Sequence, residues 1–178
     1  LAAPGLTVKV NCVPSGGNDA QLVPLAALAR DRDLTVRFIE LMPIGLGDTL
    51  TRRTEEEVLR QLEEAFGPAL PCPSDALGGP SRNVTFQGFQ GKVGFISAVS
   101  HQFCQRCNRV RLTATGFLKT CLQYDHGVDL KALLDAGAED AALLEAMADA
   151  INHKPASHHF GGQREAADEG RNMNQIGG

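Results

Sequence analysis

Three cysteines set the chemistry of this chain. Cys104 and Cys107 are separated by Gln105 and Arg106, and Cys121 follows after thirteen intervening residues. A two-residue gap lets both thiolates reach one centre, and a hairpin returns the third to it. Three thiolates suit a 4Fe–4S cluster with one iron left open, or a zinc ion with a fourth ligand from His101 or His126. Spacing alone leaves the metal undecided. The run Asn108-Arg109-Val110-Arg111-Leu112 follows directly. Strand alternation puts Arg109 and Arg111 on one face, with Val110 and Leu112 on the other. Two guanidinium forks side by side make a bidentate receptor for phosphates, unless they pair with the thiolates or with surface carboxylates. Lys9 and Arg37 lie inside otherwise apolar segments, where an unpaired charge is costly. They either pair with Glu40 and Asp19 or point at an anionic ligand. Met42 reads as core packing and His158-His159 as surface residues of a polar tail. No P-loop, GxGxxG, HExxH or GxSxG motif is present.

The elements that position these residues are legible in outline. Residues Leu6 to Val13 and Leu34 to Leu41 read as apolar strands. Between them, Asn18 or Asp19 is predicted to cap a helix from Leu22 to Ala29. Thr54-Glu55-Glu56-Glu57 reads as a capping box for a helix from about Glu55 to Phe66. This β-α-β-α order implies parallel strands buried on both faces, with functional loops at their carboxyl ends. Pro68 to Ser81 contains four prolines and reads as a connection. Beyond it, Asn83 to Phe89 and Lys92 to Ser97 form a hairpin. Arg109 to Thr113 and Leu118 to Leu122 form a second one with Gly116 at its turn. Asp129 to Ala136 and Asp140 to His153 read as helices, the second with an apolar stripe at Leu143, Leu144, Met147 and Ile151. The predicted organisation is an α/β segment at 1–67, a linker at 68–81 and a small β-rich region with helices at 82–178.

Composition limits the function classes. The 178 residues carry 17 Lys plus Arg against 21 Asp plus Glu, a net charge of −4, which argues against a general nucleic-acid coat. With no Trp and a single Tyr, base stacking on aromatic side chains is not the binding mode. Five cysteines, three of them clustered, favour a metal site in a reducing compartment over a disulfide scaffold. No apolar run reaches the roughly 18 residues a membrane helix needs, and the expectation is a cytoplasmic protein without a membrane partner.

The block from Gly94-Phe95-Ile96-Ser97 through Ser100-His101-Gln102-Phe103-Cys104-Gln105-Arg106-Cys107-Asn108-Arg109-Val110-Arg111-Leu112 to Thr120-Cys121-Leu122 closely resembles the C-terminal part of the GTP 3′,8-cyclase family. Val8-Lys9-Val10-Asn11, Val36 to Pro43, Lys154-Pro155 and Met173 to Gly178 match in the same order. These are radical S-adenosylmethionine enzymes of molybdenum cofactor biosynthesis. They convert GTP to (8S)-3′,8-cyclo-7,8-dihydroguanosine 5′-triphosphate, which a cyclic pyranopterin monophosphate synthase then uses. The resemblance implies an α/β fold: the C-terminal part of an incomplete TIM-like barrel followed by a β-rich region with an auxiliary cluster. It implies that Cys104, Cys107 and Cys121 hold a 4Fe–4S cluster whose open iron binds guanine. Lys9, Arg109, Val110 and Arg111 would contact GTP, with Arg37 a further contact. Met42 would line the S-adenosylmethionine site, and Gly177 and Gly178 would reach toward the active site. The family's other cluster, on a CxxxCxxC loop, cleaves S-adenosylmethionine. No such motif occurs among these residues, so the chain is expected to be inactive alone, and its exposed strand edges to favour instability or a homodimer. The alternatives are a non-catalytic zinc module, the auxiliary-cluster domain of another radical enzyme acting on a peptide, and a remnant without function.

Overall fold

The computed structural model describes residues 6–73, 79–163 and 165–176. They divide into two compact units, Leu1–Met42 with Thr49–Phe103, and Pro43–Asp48 with Cys104–Gly178.

The first unit is built on a five-stranded sheet of β1 (Lys9–Cys12), β2 (Thr35–Ile39), β3 (Leu70–Cys72), β4 (Arg82–Thr85) and β5 (Lys92–Ile96), in the order β1-β2-β5-β4-β3. β1 pairs with β2 and β2 with β5 in parallel; β4 pairs antiparallel with both β5 and β3. The 68–81 segment is therefore not a boundary. It contributes β3 to the same sheet, and the hairpin strand β5 inserts between β2 and β4. Pro71 fits in β3 because an edge strand needs no donor on its outer side.

Helix α1 (Asp19–Ala26) follows β1 and continues as a 3₁₀ turn over Ala27–Ala29. Neither candidate cap serves through its side chain. Asn18 instead accepts from the Ser15 amide at 2.8 Å and donates to the Val13 carbonyl at 3.0 Å, while Asp19 binds Arg53. Helix α2 (Glu55–Phe66) has the bounds its pattern predicts. The Glu57 amide donates to Thr54 Oγ1 at 3.3 Å and the Thr54 amide to Glu57 Oε2 at 2.8 Å. Three glutamates in the first turn add favourable charge at the amide end.

One sheet face carries Val36, Phe38, Val93 and Phe95, which pack with Leu22, Ala26, Val58 and Leu62 of the helices. The alternate positions carry Lys9, Asn11, Arg37 and Gly94. The expectation of burial on both faces thus fails for β1, where Lys9 and Asn11 are exposed because this strand is at the sheet edge.

The second unit holds a three-stranded antiparallel sheet of β6 (Arg111–Leu112), β7 (Phe117–Lys119) and β8 (Gly127–Asp129) in that order. The turn between β6 and β7 uses Gly116 at φ +81°, as its position suggested. Strand β6 is shorter than expected, so Arg109 and Val110 lie in the loop before it, and Leu112 is 62% exposed. Helix α3 (Leu130–Asp135) is capped by Asp129, whose Oδ1 accepts from the Ala132 amide at 2.9 Å. Helix α4 (Asp140–Asn152) is displaced in phase from the predicted stripe. Leu143, Ala146, Met147 and Ala150 form its half-buried face, while Leu144 and Ile151 are exposed.

Candidate functional site

In the second unit the cysteine pair sits on a single 3₁₀ turn, Cys104–Arg106, closed by the Cys107 amide on the Cys104 carbonyl at 3.0 Å. Cys121 lies two residues beyond β7. All three thiols are free and half-buried. The Tyr124 phenol is held above its usual range, first by burial and then by the Cys121 charge, with Cys104 contributing as well. Both cysteines therefore act electrostatically on the same phenol. Among the described residues, however, no three Cys, His, Asp or Glu side chains converge as a single metal-ion site. Of the two histidines considered as ligands, His101 lies 3.5 Å from Glu56 in the first unit, and His126 stacks loosely on Tyr124 at 6.3 Å.

Arg109 is exposed and its side chain has no partner among the described residues. Arg111 is half-buried, and burial followed by the Arg109 charge holds its guanidinium below the usual value. The two cations are thus close enough to repel, the arrangement an anion relieves.

The cations of the first unit differ from the pairing predicted from sequence. Arg37 Nε donates to Asn11 Oδ1 at 2.8 Å. Glu40 serves the loop after β5, accepting from the Val99 amide at 2.8 Å, the Ser100 amide at 2.9 Å and the Ser100 hydroxyl at 3.1 Å. Asp19 is held low by its bonds to Arg53. Neither carboxylate is available to Lys9 or Arg37. A narrow cavity opens at the carboxyl ends of β1, β2 and β5, lined by Pro14, Glu40 and Ser97 with Arg53 and Glu55. Met42, half-buried, closes the first segment of this unit. Gly177 and Gly178 lie outside the described residues.

A match to the family model described as Molybdenum Cofactor Synthesis C extends over residues 34–160. This chain belongs to that family. Among its relatives, the GTP 3′,8-cyclase of Moorella thermoacetica is 43% identical over 99% of the chain and 54% of the relative's own length. That of Heliobacterium modesticaldum is 42% identical over 100% and 55%. That of Clostridium perfringens is 37% identical over 96% and 53%. The chain spans about half the length of these curated relatives. No helix among the described residues is long and apolar enough to cross a membrane.

Within this Molybdenum Cofactor Synthesis C domain, three groups escaped the sequence reading. Lys154 Nζ donates to the Cys107 carbonyl at 3.0 Å, the Arg109 carbonyl at 2.7 Å and Cys107 Sγ at 3.3 Å. Lys119, 1% exposed, donates to the Tyr124 carbonyl at 2.7 Å and is ion-paired with the buried Glu169, which also accepts from Arg171 Nε at 2.8 Å. His159, read as a surface residue, instead joins Tyr124 Oη at 3.0 Å to Asp168 at 3.1 Å. No local pattern announces these contacts. The available signal was that a cation in a strand, Lys119, required a partner somewhere.

Proposed function

We propose that this chain is the substrate-binding part of a radical S-adenosylmethionine GTP 3′,8-cyclase, acting in the first step of molybdenum cofactor biosynthesis in the cytoplasm. The observation that carries this reading is the arginine pair directly after the cysteine turn. Burial first and then the neighbouring Arg109 charge hold the Arg111 guanidinium below its usual value, and Arg109 is exposed with no side-chain partner among the described residues. A polyphosphate bound there replaces repulsion by charge-assisted hydrogen bonds. The Val110 backbone between them joins that contact. Lys9 and Arg37 supply further cations for GTP, and Met42 faces S-adenosylmethionine.

The donor set suits an iron–sulfur cluster. Three free thiols lie in one unit, and the Lys154 ammonium donates to one of the sulfurs. Cys104, Cys107 and Cys121 would hold the cluster, which would supply an open iron to be ligated by the guanine. The chain's own side chains bind and orient. Held at both base and phosphate, the nucleotide has its ribose fixed for reaction and sheltered from water. S-adenosylmethionine cleavage, with a second 4Fe–4S cluster, belongs to the rest of such an enzyme, in which β1, β2 and β5 are strands of an incomplete TIM-like barrel. A homodimer and hand-over to a cyclic pyranopterin monophosphate synthase complete the set of partners.

The test is GTP binding to the anaerobically reconstituted chain by isothermal titration. Arg109→Ala and Arg111→Ala are each expected to weaken it by roughly tenfold to a hundredfold, from about 1.5–3 kcal/mol per charged hydrogen-bonding group. Unchanged affinity in both variants overturns the reading. Zinc without acid-labile sulfide in the purified chain overturns it equally.

A further inference from the structure

Lys154 is an unusual cation for its surroundings. It follows α4 directly, its amide donating to the Ile151 carbonyl at 3.2 Å, and Pro155 ends the helix immediately afterwards. The residue before a proline is turned out of the helical path. The side chain crosses 47 positions of sequence to reach Cys107 and 45 to reach Arg109. Its ammonium has three protons and three acceptors, two backbone carbonyls and one sulfur. No carboxylate pairs with it among the described residues. A half-buried ammonium held by neutral carbonyls alone is poorly compensated, so the sulfur is where its counter-charge belongs.

We propose that Lys154 is the positioning residue of the three-cysteine site: it fixes the Cys107–Arg109 turn and donates a charged hydrogen bond to the Cys107 sulfur, which eases reduction of the cluster bound there. This rests on the reading that the three cysteines hold a 4Fe–4S cluster. Reduction adds one electron and makes the thiolate-ligated centre more negative. A cation donating to one of its sulfurs stabilises that form over the oxidised one and raises the reduction potential. The two carbonyl bonds do a second job. They tie the ligand Cys107 and the anion-binding Arg109 to one ammonium, so that the cluster and the phosphate contacts keep a common register.

The experiment compares the anaerobically reconstituted wild-type chain with Lys154→Met, Lys154→Arg and the surface control Lys131→Met. Iron and sulfide content are measured first, then the midpoint potential by electron paramagnetic resonance redox titration. The expected result is a full cluster in all four, a more negative midpoint in Lys154→Met, and a midpoint near wild type in Lys154→Arg and Lys131→Met. A Lys154→Met chain that fails to load while Lys154→Arg loads fully also supports the proposal, since only a cationic donor restores the site. A full cluster in Lys154→Met with an unshifted midpoint overturns it, as does failure of both Lys154 variants to load. Zinc in place of iron in the wild-type chain removes the underlying reading and the proposal with it.

Discussion

Replacing Glu169 by Gln tests the energetic centre of the second unit. Glu169 is 4% exposed and shared between Lys119 and Arg171. Burial pushes its carboxyl up, but hydrogen bonds from Arg171 and Lys119 together outweigh that and hold it at about 2 against an ordinary 4.5. At about 1.4 kcal/mol per pH unit this displacement is worth about 3 kcal/mol of folded-state preference for the carboxylate. A depressed carboxyl contributes fully above the unfolded-state value. Its contribution is lost as pH falls from about 4.5 toward about 2. The amide removes that contribution and strands the Lys119 ammonium without its counter-charge, so a loss of about 3–5 kcal/mol is expected at pH 7. The gap between wild type and variant should narrow steadily between pH 5 and pH 3. Tyr124 is the one tyrosine in a chain without tryptophan, and it lies in the second unit. Its emission during urea unfolding therefore reports this unit selectively. A gap below about 1 kcal/mol at pH 7, or one that does not narrow on acidification, refutes the reasoning.

Three further perturbations have defined outcomes. Thr54→Ala removes the hydroxyl that accepts from the Glu57 amide, while the backbone amide that donates to Glu57 remains, and should cost about 1 kcal/mol in urea unfolding followed by circular dichroism. Gly127→Ala places a Cβ against the Leu118 backbone, 3.0 Å from its carbonyl carbon, where no side chain can rotate away. A loss of about 1–3 kcal/mol is expected, with β7·β8 amide protection in hydrogen exchange falling first. Arg109→Lys keeps the charge but loses the planar fork, so GTP affinity should drop nearly as far as in Arg109→Ala, and a wild-type value would exclude bidentate binding.

How legible the fold was depended on whether its cause was local. Helix α2 is specified between Thr54 and Gly67 by a cap, an apolar stripe and a glycine at φ +87°, and both ends were correctly placed. Strand β3 was missed because its recognition depends on a neighbour. Leu70-Pro71-Cys72 has no strand character of its own until β4 supplies acceptors and donors on one side only. The same holds for the division of the chain. A proline-rich stretch reads as a linker, yet β5 lies beside β2 because Val93 and Phe95 share the apolar face of Val36 and Phe38. That shared face follows from parallel pairing between segments more than fifty residues apart, which alternation within each segment cannot encode.

The candidate site divides along the same line. The cysteine spacing and the Arg109–Arg111 pair are local patterns, and each pointed to a chemistry before any fold was known. The partners of the cations were not. Electrostatics demands that a cation inside a strand be compensated, but it does not name the compensating group. Asp19 was taken by Arg53, 34 positions away, and Glu40 by backbone amides some 60 positions away. Lys119 found Glu169 across 50 positions, and Lys154 found a sulfur across 47. These two lysines meet the same demand in opposite ways. Lys119 is neutralised by a buried carboxylate and holds the sheet to the segment before the chain's end, a contact whose value lies in folding. Lys154 has no carboxylate partner among the described residues and donates instead to the Cys107 sulfur, the contact on which its proposed role at the three-cysteine site rests. Removing Glu169 should therefore cost stability, whereas removing Lys154 should shift the redox poise of the proposed cluster.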